Sequence, residues 1–271
     1  MNKFTIFGSH GFVGSEIARQ LEEVGETVVR VGRDSWPVVG SELGQVIFCI
    51  GMTADFRKRL VETFEIQAIR LHDALTRYQF DSFLYLSSAR VYDRASATQE
   101  EAPLLVRPSS VDHVYNISKI AGESLCFVYD NPRIRVARLS NVYGLEDKSN
   151  LFLTSVVRDA LAGGEIVIHQ DATSSKDYVA VEDAAAILIA IARGGRERIY
   201  NVACGRNFSH QQIADVLEQN GAHVRFDPNG PVVIFPQIDT SRATCEFGRK
   251  VIDPAIRIPE IINKLRANNK V

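Results

Sequence analysis

The apolar stretch Lys3-Phe-Thr-Ile-Phe7 runs directly into Gly8-Ser-His-Gly11-Phe-Val-Gly14, which opens an amphipathic pattern at Ser15-Glu-Ile-Ala-Arg-Gln-Leu21. A GxxGxxG spacing is a weak signal alone, but between a strand and a helix it constrains the fold strongly. The glycines permit a tight turn, close approach of backbone to a pyrophosphate, and close packing of the helix on its strand. The N–H groups that open the helix then face the phosphates. Gly8, Gly11, Phe12, Val13 and Gly14 are therefore the expected cofactor contacts of this turn. His10, inside it, reads as a loop residue near the pyrophosphate rather than a base.

Strand patterns at 3–7, 27–31, 45–50, 83–87 and 134–138 alternate with helical patterns near 12–24, 57–78 and 113–130. That alternation is the mark of a right-handed, parallel α/β sheet of doubly wound, Rossmann type. Downstream come a helix near 151–163, a strand at 166–168, a helix near 182–193 and a strand at 199–202. Ser209-His-Gln-Gln212 reads as a capping box opening a helix through Ile213 to Leu217. With 271 residues the chain suits one nucleotide-binding domain and a smaller lobe.

Charge gives no reason to expect a nucleic acid or an anionic membrane, since 31 basic residues face 33 acidic ones. The N-terminus enters a strand without a leader pattern, and no apolar run reaches the ~18 residues of a membrane span, so a cytoplasmic location is expected. Cys49, Cys126, Cys204 and Cys245 form no CxxC pair and read as free, mostly buried thiols. The histidines His72, His113, His169, His210 and His223 show no ligand spacing; no metal is expected, and they read as structural or surface residues.

Chemistry concentrates at Tyr115-Asn-Ile-Ser-Lys119. Residues four apart share a helix face, so Lys119 can place its charge near the Tyr115 phenol. Such a charge would lower a phenol pKa of ~10 and suit it to proton transfer near neutrality. Ser88, upstream after an apolar strand pattern, is positioned to give the reacting oxygen a second hydrogen bond. Glycine turn, serine and YxxxK in this order point to a nicotinamide enzyme. Alone, YxxxK also occurs on ordinary surface helices.

With Leu84-Tyr-Leu-Ser-Ser88-Ala-Arg-Val-Tyr92, Arg138-Leu-Ser-Asn141-Val-Tyr-Gly144, Lys176-Asp177-Tyr-Val-Ala-Val-Glu-Asp183, Tyr200-Asn201-Val-Ala-Cys-Gly205 and Asp239-Thr-Ser-Arg242, the chain resembles the extended short-chain dehydrogenase/reductase family. That family includes sugar-nucleotide epimerases, dehydratases and ketoreductases. The resemblance implies a nucleotide domain from 1–148 and 177–204 and a substrate lobe from 149–176 and 205–271. It implies Tyr115 as general acid/base, Lys119 as electrostatic tuner and ribose ligand, and Ser88, rather than Ser87, as partner of the carbonyl or alkoxide. One departure is local: between Asp34 and Gln45 there is no room for the strand and helix relatives place there, so the sheet is expected to be one strand short. Something in Ser35 to Gly44 must then replace the usual wall of the adenine pocket.

Cofactor choice turns on Gly32-Arg33. NAD-preferring relatives carry an acid here, which would repel a 2′-phosphate, whereas an arginine can clamp one. NADP(H) is expected over NAD(H), which stays possible if Asp34 serves the ribose and Arg33 is a solvated loop residue. Relatives that dehydrate sugars carry an Asp-Glu pair where this chain has Ala89 and Arg90, so dehydration is disfavoured. Asn150 and Lys176 match positions that hold a sugar-nucleotide diphosphate, although Lys176 also reads as a surface charge; Asn141 belongs to the same expected substrate set. Relatives commonly have a diphosphate-binding arginine near Asn229-Gly-Pro231; here Arg242 or Arg90 would substitute. The family's asparagine near 64–72 is missing, its neighbourhood being Phe64 and Glu65. The leading expectation is an NADP(H)-dependent ketoreductase of a 4-keto sugar nucleotide, working as a homodimer. The alternatives are a C4 epimerase of the same substrates and a cofactor-binding regulatory protein without turnover.

Overall fold

The computed structural model describes residues 2–52, 56–144, 151–248 and 251–268. Its first half runs β1 (Lys3–Phe7), α1 (Phe12–Glu23), β2 (Thr27–Val31), β3 (Gln45–Phe48), α2 (Leu60–Phe64), α3 (Arg70–Arg77), β4 (Ser82–Ser88), α4 (Val111–Val128), β5 (Ile134–Leu139) and β6 (Asn141–Tyr143). There follow α5 (Phe152–Ala162), β7 (Glu165–Ile168), β8 (Ser175–Ala180), α6 (Val181–Gly194), β9 (Ile199–Val202), β10 (Asn207–Ser209), α7 (His210–Gln219), β11 (His223–Phe226), α8 (Ser241–Phe247) and α9 (Pro254–Asn268).

Six strands form the central sheet in the order β2-β1-β3-β4-β5-β9. Every pairing within it is parallel. Side chains alternate faces along each strand, and both faces are apolar, as a sheet covered on two sides requires. Phe4, Ile6, Ile47, Leu84 and Leu86 point to a layer with Ile17 and Leu21 of α1 and Leu188 of α6. Phe7, Val46, Phe48, Phe83 and Tyr85 point to the opposite layer with Leu71 and Leu75 of α3. Rossmann-type architecture is thus present, with β2 at the sheet edge and no strand of the sheet between β2 and β3. The 32–44 loop is instead tied to the end of α3: Tyr78 donates to the Pro37 carbonyl at 2.9 Å, and the Gly40 N–H donates to the Arg77 carbonyl at 2.8 Å. Trp36 packs edge-on against Phe7 with ring centroids 5.1 Å apart.

A second apolar cluster, including Leu153, Val157, Ile168, Ile213, Leu217 and Ile261, joins α5, α7 and α9 to the β7–β11 pair. Beside it, β10, β8 and β6 make a three-stranded sheet. The capping box read at Ser209 and Gln212 is present at the start of α7.

The helix expected over 57–78 is interrupted. Between α2 and α3 lies a π-helical turn, Glu65–Ile69. Its buried Gln67 donates from Nε2 to the Met52 carbonyl at 3.1 Å and accepts from Ser118 Oγ at 3.1 Å. The wider turn carries a polar side chain inward to α4, a tertiary demand that helical periodicity does not register.

Candidate active site

The carboxyl ends of parallel strands bring the sequence motifs to one edge of the sheet, where open α/β sheets bind ligands. After β1, Gly8 has φ +79°, a backbone conformation that costs glycine nothing. A Cβ on Gly14 would stand 2.3 Å from the Gly8 carbonyl oxygen, so helix and turn approach as closely as only glycine allows. Gly11 caps α1 without a side-chain hydrogen bond, leaving the first N–H groups of the helix to a ligand. The turn therefore fits a dinucleotide pyrophosphate. Phe12 and Val13 start α1, and Phe12 lies against Gly144, where a Cβ would meet its ring at 3.1 Å. At the end of β2, Arg33 and Asp34 are both exposed, and neither has an ion-pair or hydrogen-bonding partner among the described residues.

Ser88 ends β4 and caps the following 3-10 turn, Ala89–Tyr92, through the Arg90 N–H at 3.3 Å. Tyr115 and Lys119 sit one turn apart on α4, both buried. Ser88 stands close enough to the Tyr115 phenol to hold its pKa down. Burial raises the Tyr115 phenol above its ordinary value, opposed by Ser88 and by the charge of Arg90. Lys119 is not among the charges that act on this phenol. Lys119 Nζ lies 6.0 Å from the Tyr115 ring centroid and donates to the Leu86 carbonyl at 2.8 Å. Its own pKa is pulled down to about 8 by burial, against the charges of Glu123 and Cys49.

Arg90 is the cation seated on the tyrosine. Its guanidinium carbon lies 5.2 Å from the Tyr115 ring centroid and 5.1 Å from that of Phe56. Phe56 in turn packs on Tyr115 with centroids 5.3 Å apart. Burial lowers the pKa of Arg90, and burial followed by the charge of Arg90 lowers that of Lys176. Nearby, Phe152 stacks on His210 at 4.3 Å. His210 is held neutral, its pKa pulled down to about 4 by burial and by Lys176 against Asp171.

Other expected substrate residues are placed differently. Asn141 Nδ2 donates to the Asp177 carbonyl at 2.8 Å, so that amide joins β6 to β8. Arg242 pairs with Glu101 at 2.6 Å, approaches Glu100 at 3.6 Å and donates to the Ile199 carbonyl at 3.0 Å. Asn150 lies outside the described residues. Phe56 and Gln67 escaped the sequence reading; an apolar residue after Asp55 and a glutamine on a helix carry no chemical signature. Among the described residues no cluster of three or more His, Cys, Asp or Glu could hold a metal ion, and no helix is long and apolar enough to cross a membrane. Cys126 is buried, Cys49 and Cys204 are half-buried, Cys245 is exposed, and all are free thiols.

Against known proteins, the model of the NAD dependent epimerase/dehydratase family matches residues 50–203. A dTDP-4-dehydro-6-deoxy-D-allose reductase of a Streptomyces species is 22% identical over 275 residues, covering 84% of each chain. The structure of RMD from Pseudomonas aeruginosa complexed with NADPH superposes with a TM-score of 0.79 at 20% identity, covering 99% of this chain and 100% of that one. UDP-N-acetylglucosamine 4-epimerase from Bacillus cereus superposes with a TM-score of 0.81 at 18% identity, covering 98% and 97%.

Proposed function

This chain belongs to the NAD dependent epimerase/dehydratase family of NAD(P)-dependent enzymes, and on that footing we propose that it is an NADP(H)-dependent ketoreductase acting on a 4-keto sugar nucleotide. The observation that carries this reading is the buried Tyr115–Ser88 pair with a cation, Arg90, rather than a carboxylate beside it. A phenol whose pKa is raised by burial is protonated at neutral pH and able to act as an acid. Tyr115 Oη gives its proton to the substrate oxygen as that oxygen becomes an alkoxide, while Ser88 Oγ holds the same oxygen in place. Arg90 stabilises the phenolate left behind. No carboxylate stands at Ala89 or Arg90 to remove a second proton and expel water.

The glycine turn would hold the pyrophosphate, and the unpaired Arg33 would meet the 2′-phosphate of NADP(H). When bound, the nicotinamide supplies the hydride. The reductase activity of the Streptomyces relative and the NADPH bound by the Pseudomonas protein lend support. We further propose Lys176 as a diphosphate ligand, and a homodimer, for which the exposed Val61 of α2, Ile69 of the π-helical turn and Phe127 and Val128 at the end of α4 are the supporting feature.

An epimerase has the same Tyr–Ser–Lys arrangement, and a Bacillus 4-epimerase shares the fold. The two are separated by following 340 nm absorbance with 4-keto sugar nucleotides. A reductase consumes NADPH in stoichiometric amounts. Unchanged absorbance with a change of sugar configuration identifies the epimerase instead.

A further inference from the structure

Arg90 and Lys176 are half-buried cations near enough that the charge of one disfavours that of the other. Neither side chain has an anionic or hydrogen-bonding partner among the described residues, while the exposed arginines around them, such as Arg57 with Asp112, are paired. Two neighbouring cations shielded from water, with no ion pair of their own and only the more distant Asp112 and Asp93 acting on Arg90, leave room for a ligand to supply an anion at close range.

Their positions are not equivalent. Lys176 lies on β8, in the sheet beside the second lobe. The Arg90 guanidinium lies over the adjoining rings of Phe56 and Tyr115, at 5.1 and 5.2 Å. Such cation–π seating fixes a guanidinium while leaving its in-plane N–H donors free. Tyr115 Oη must touch the oxygen on the reacting carbon, so donors pinned to that ring address atoms next to the reacting carbon. In a 4-keto sugar nucleotide the diphosphate leaves the ring from the opposite side. The planar fork of an arginine matches a carboxylate in two parallel hydrogen bonds.

Resting on the sugar-nucleotide reading, we infer that Arg90 is a specificity residue for a substrate whose sugar carries a carboxylate adjacent to the reacting carbon, a uronic-acid-type sugar nucleotide, with Lys176 left to the diphosphate. Nothing further is asked of the fold, since the cation is already held in place by two rings.

The test is calorimetric titration of the full chain, saturated with NADP⁺, with matched ligands that differ only in a carboxylate against a hydroxymethyl group at C6. The pairs are glucuronate and glucose on uridine and deoxythymidine diphosphate, and mannuronate and mannose on guanosine diphosphate. The wild type should favour the carboxylate member by about 10- to 100-fold in Kd. Arg90→Gln should bring that ratio to about one, and Arg90→Lys should keep part of it, since the charge survives without the fork. A wild type that binds both members of a pair equally, or prefers the hydroxymethyl sugar, overturns the assignment while leaving the sugar-nucleotide reading intact. A ratio unchanged in a folded Arg90→Gln variant overturns it too. If no member of any pair binds, the sugar-nucleotide reading falls and this assignment falls with it.

Discussion

At the scale of single residues, function rests on groups that burial has moved away from their solution behaviour. Removing the Tyr115 hydroxyl with Tyr115→Phe keeps the ring that Phe56 and Arg90 pack against and deletes only the transferable proton. General acid/base steps are worth ~10² to 10⁴ in rate, so kcat should fall by about 100-fold or more with cofactor affinity nearly unchanged. Steady-state turnover and calorimetry on the same preparation check both halves; an undiminished kcat removes Tyr115 from the mechanism. Arg33 is the complementary case, an exposed side chain with no protein partner to strand. Arg33→Ala should weaken NADP(H) by ~1.5–3 kcal/mol, the range for hydrogen bonds to charged groups, which is about one to two decades in affinity. NAD(H) lacks the phosphate and should change little. Equal losses for both cofactors, measured by titration, would reduce Arg33 to a loop residue.

At the scale of elements, the glycine turn was legible in the sequence because its constraint is local: a backbone that must pass close to itself admits no Cβ. Gly14→Ala sets a methyl group 2.3 Å from the Gly8 carbonyl oxygen, and the contact is with backbone, which cannot rotate away. Helix α1 must shift off β1, costing ~1–3 kcal/mol as overpacking does and displacing the N–H groups meant for phosphate. Gly25→Ala is the control, since Gly25 has φ +77° but nothing within 4 Å of its added Cβ. It should cost ~1–2 kcal/mol for the left-handed backbone alone and leave cofactor binding intact. Urea denaturation with a cofactor titration separates the two; matched losses of affinity would mean that the turn is not the phosphate cradle. What escaped the sequence was set by tertiary contact. The break in the 57–78 helix depends on Gln67 reaching Ser118, 51 positions away. The partner of Arg242, Glu101, lies 141 positions away. Helical spacing placed Lys119 one turn from Tyr115, but it could not show the Leu86 carbonyl that accepts from Lys119 or the Arg90 guanidinium over the Tyr115 ring.

At the scale of the whole molecule, the site is braced from behind by a buried polar network joining α4, β4, β5 and β9. Glu123 of α4 accepts from Ser87 Oγ at 2.5 Å and from Arg138 Nε and Nη2 at 3.0 and 2.7 Å. Arg138 Nη1 donates to the Tyr92 hydroxyl at 2.7 Å, and that hydroxyl donates to Asn201 Oδ1 at 2.9 Å. Both charges of the Glu123–Arg138 pair are 5% exposed, so Glu123→Gln leaves a buried guanidinium uncompensated. Breaking such a pair costs ~3–5 kcal/mol, and adding Arg138→Met should recover part of the loss in a double-mutant cycle read by urea denaturation. The same carboxylate also acts forward into the site, because its charge raises the pKa of Lys119 against the burial that pulls it down to about 8. Lys119 has a depressed pKa in the folded state, so between about 8 and its ordinary 10.5 the unfolded chain binds more protons and this group's contribution to stability grows as pH rises. Any hold of the ammonium on the cofactor runs the other way, present below about pH 8 and lost above it. Cofactor Kd followed by fluorescence should therefore weaken above about pH 8 in the wild type and show no such limb in Lys119→Met. In Glu123→Gln the limb should move to lower pH, since removing the anion disfavours the ammonium. A loss of stability with an unmoved limb would confine the Glu123–Arg138 pair to bracing the fold and detach it from the chemistry of Lys119.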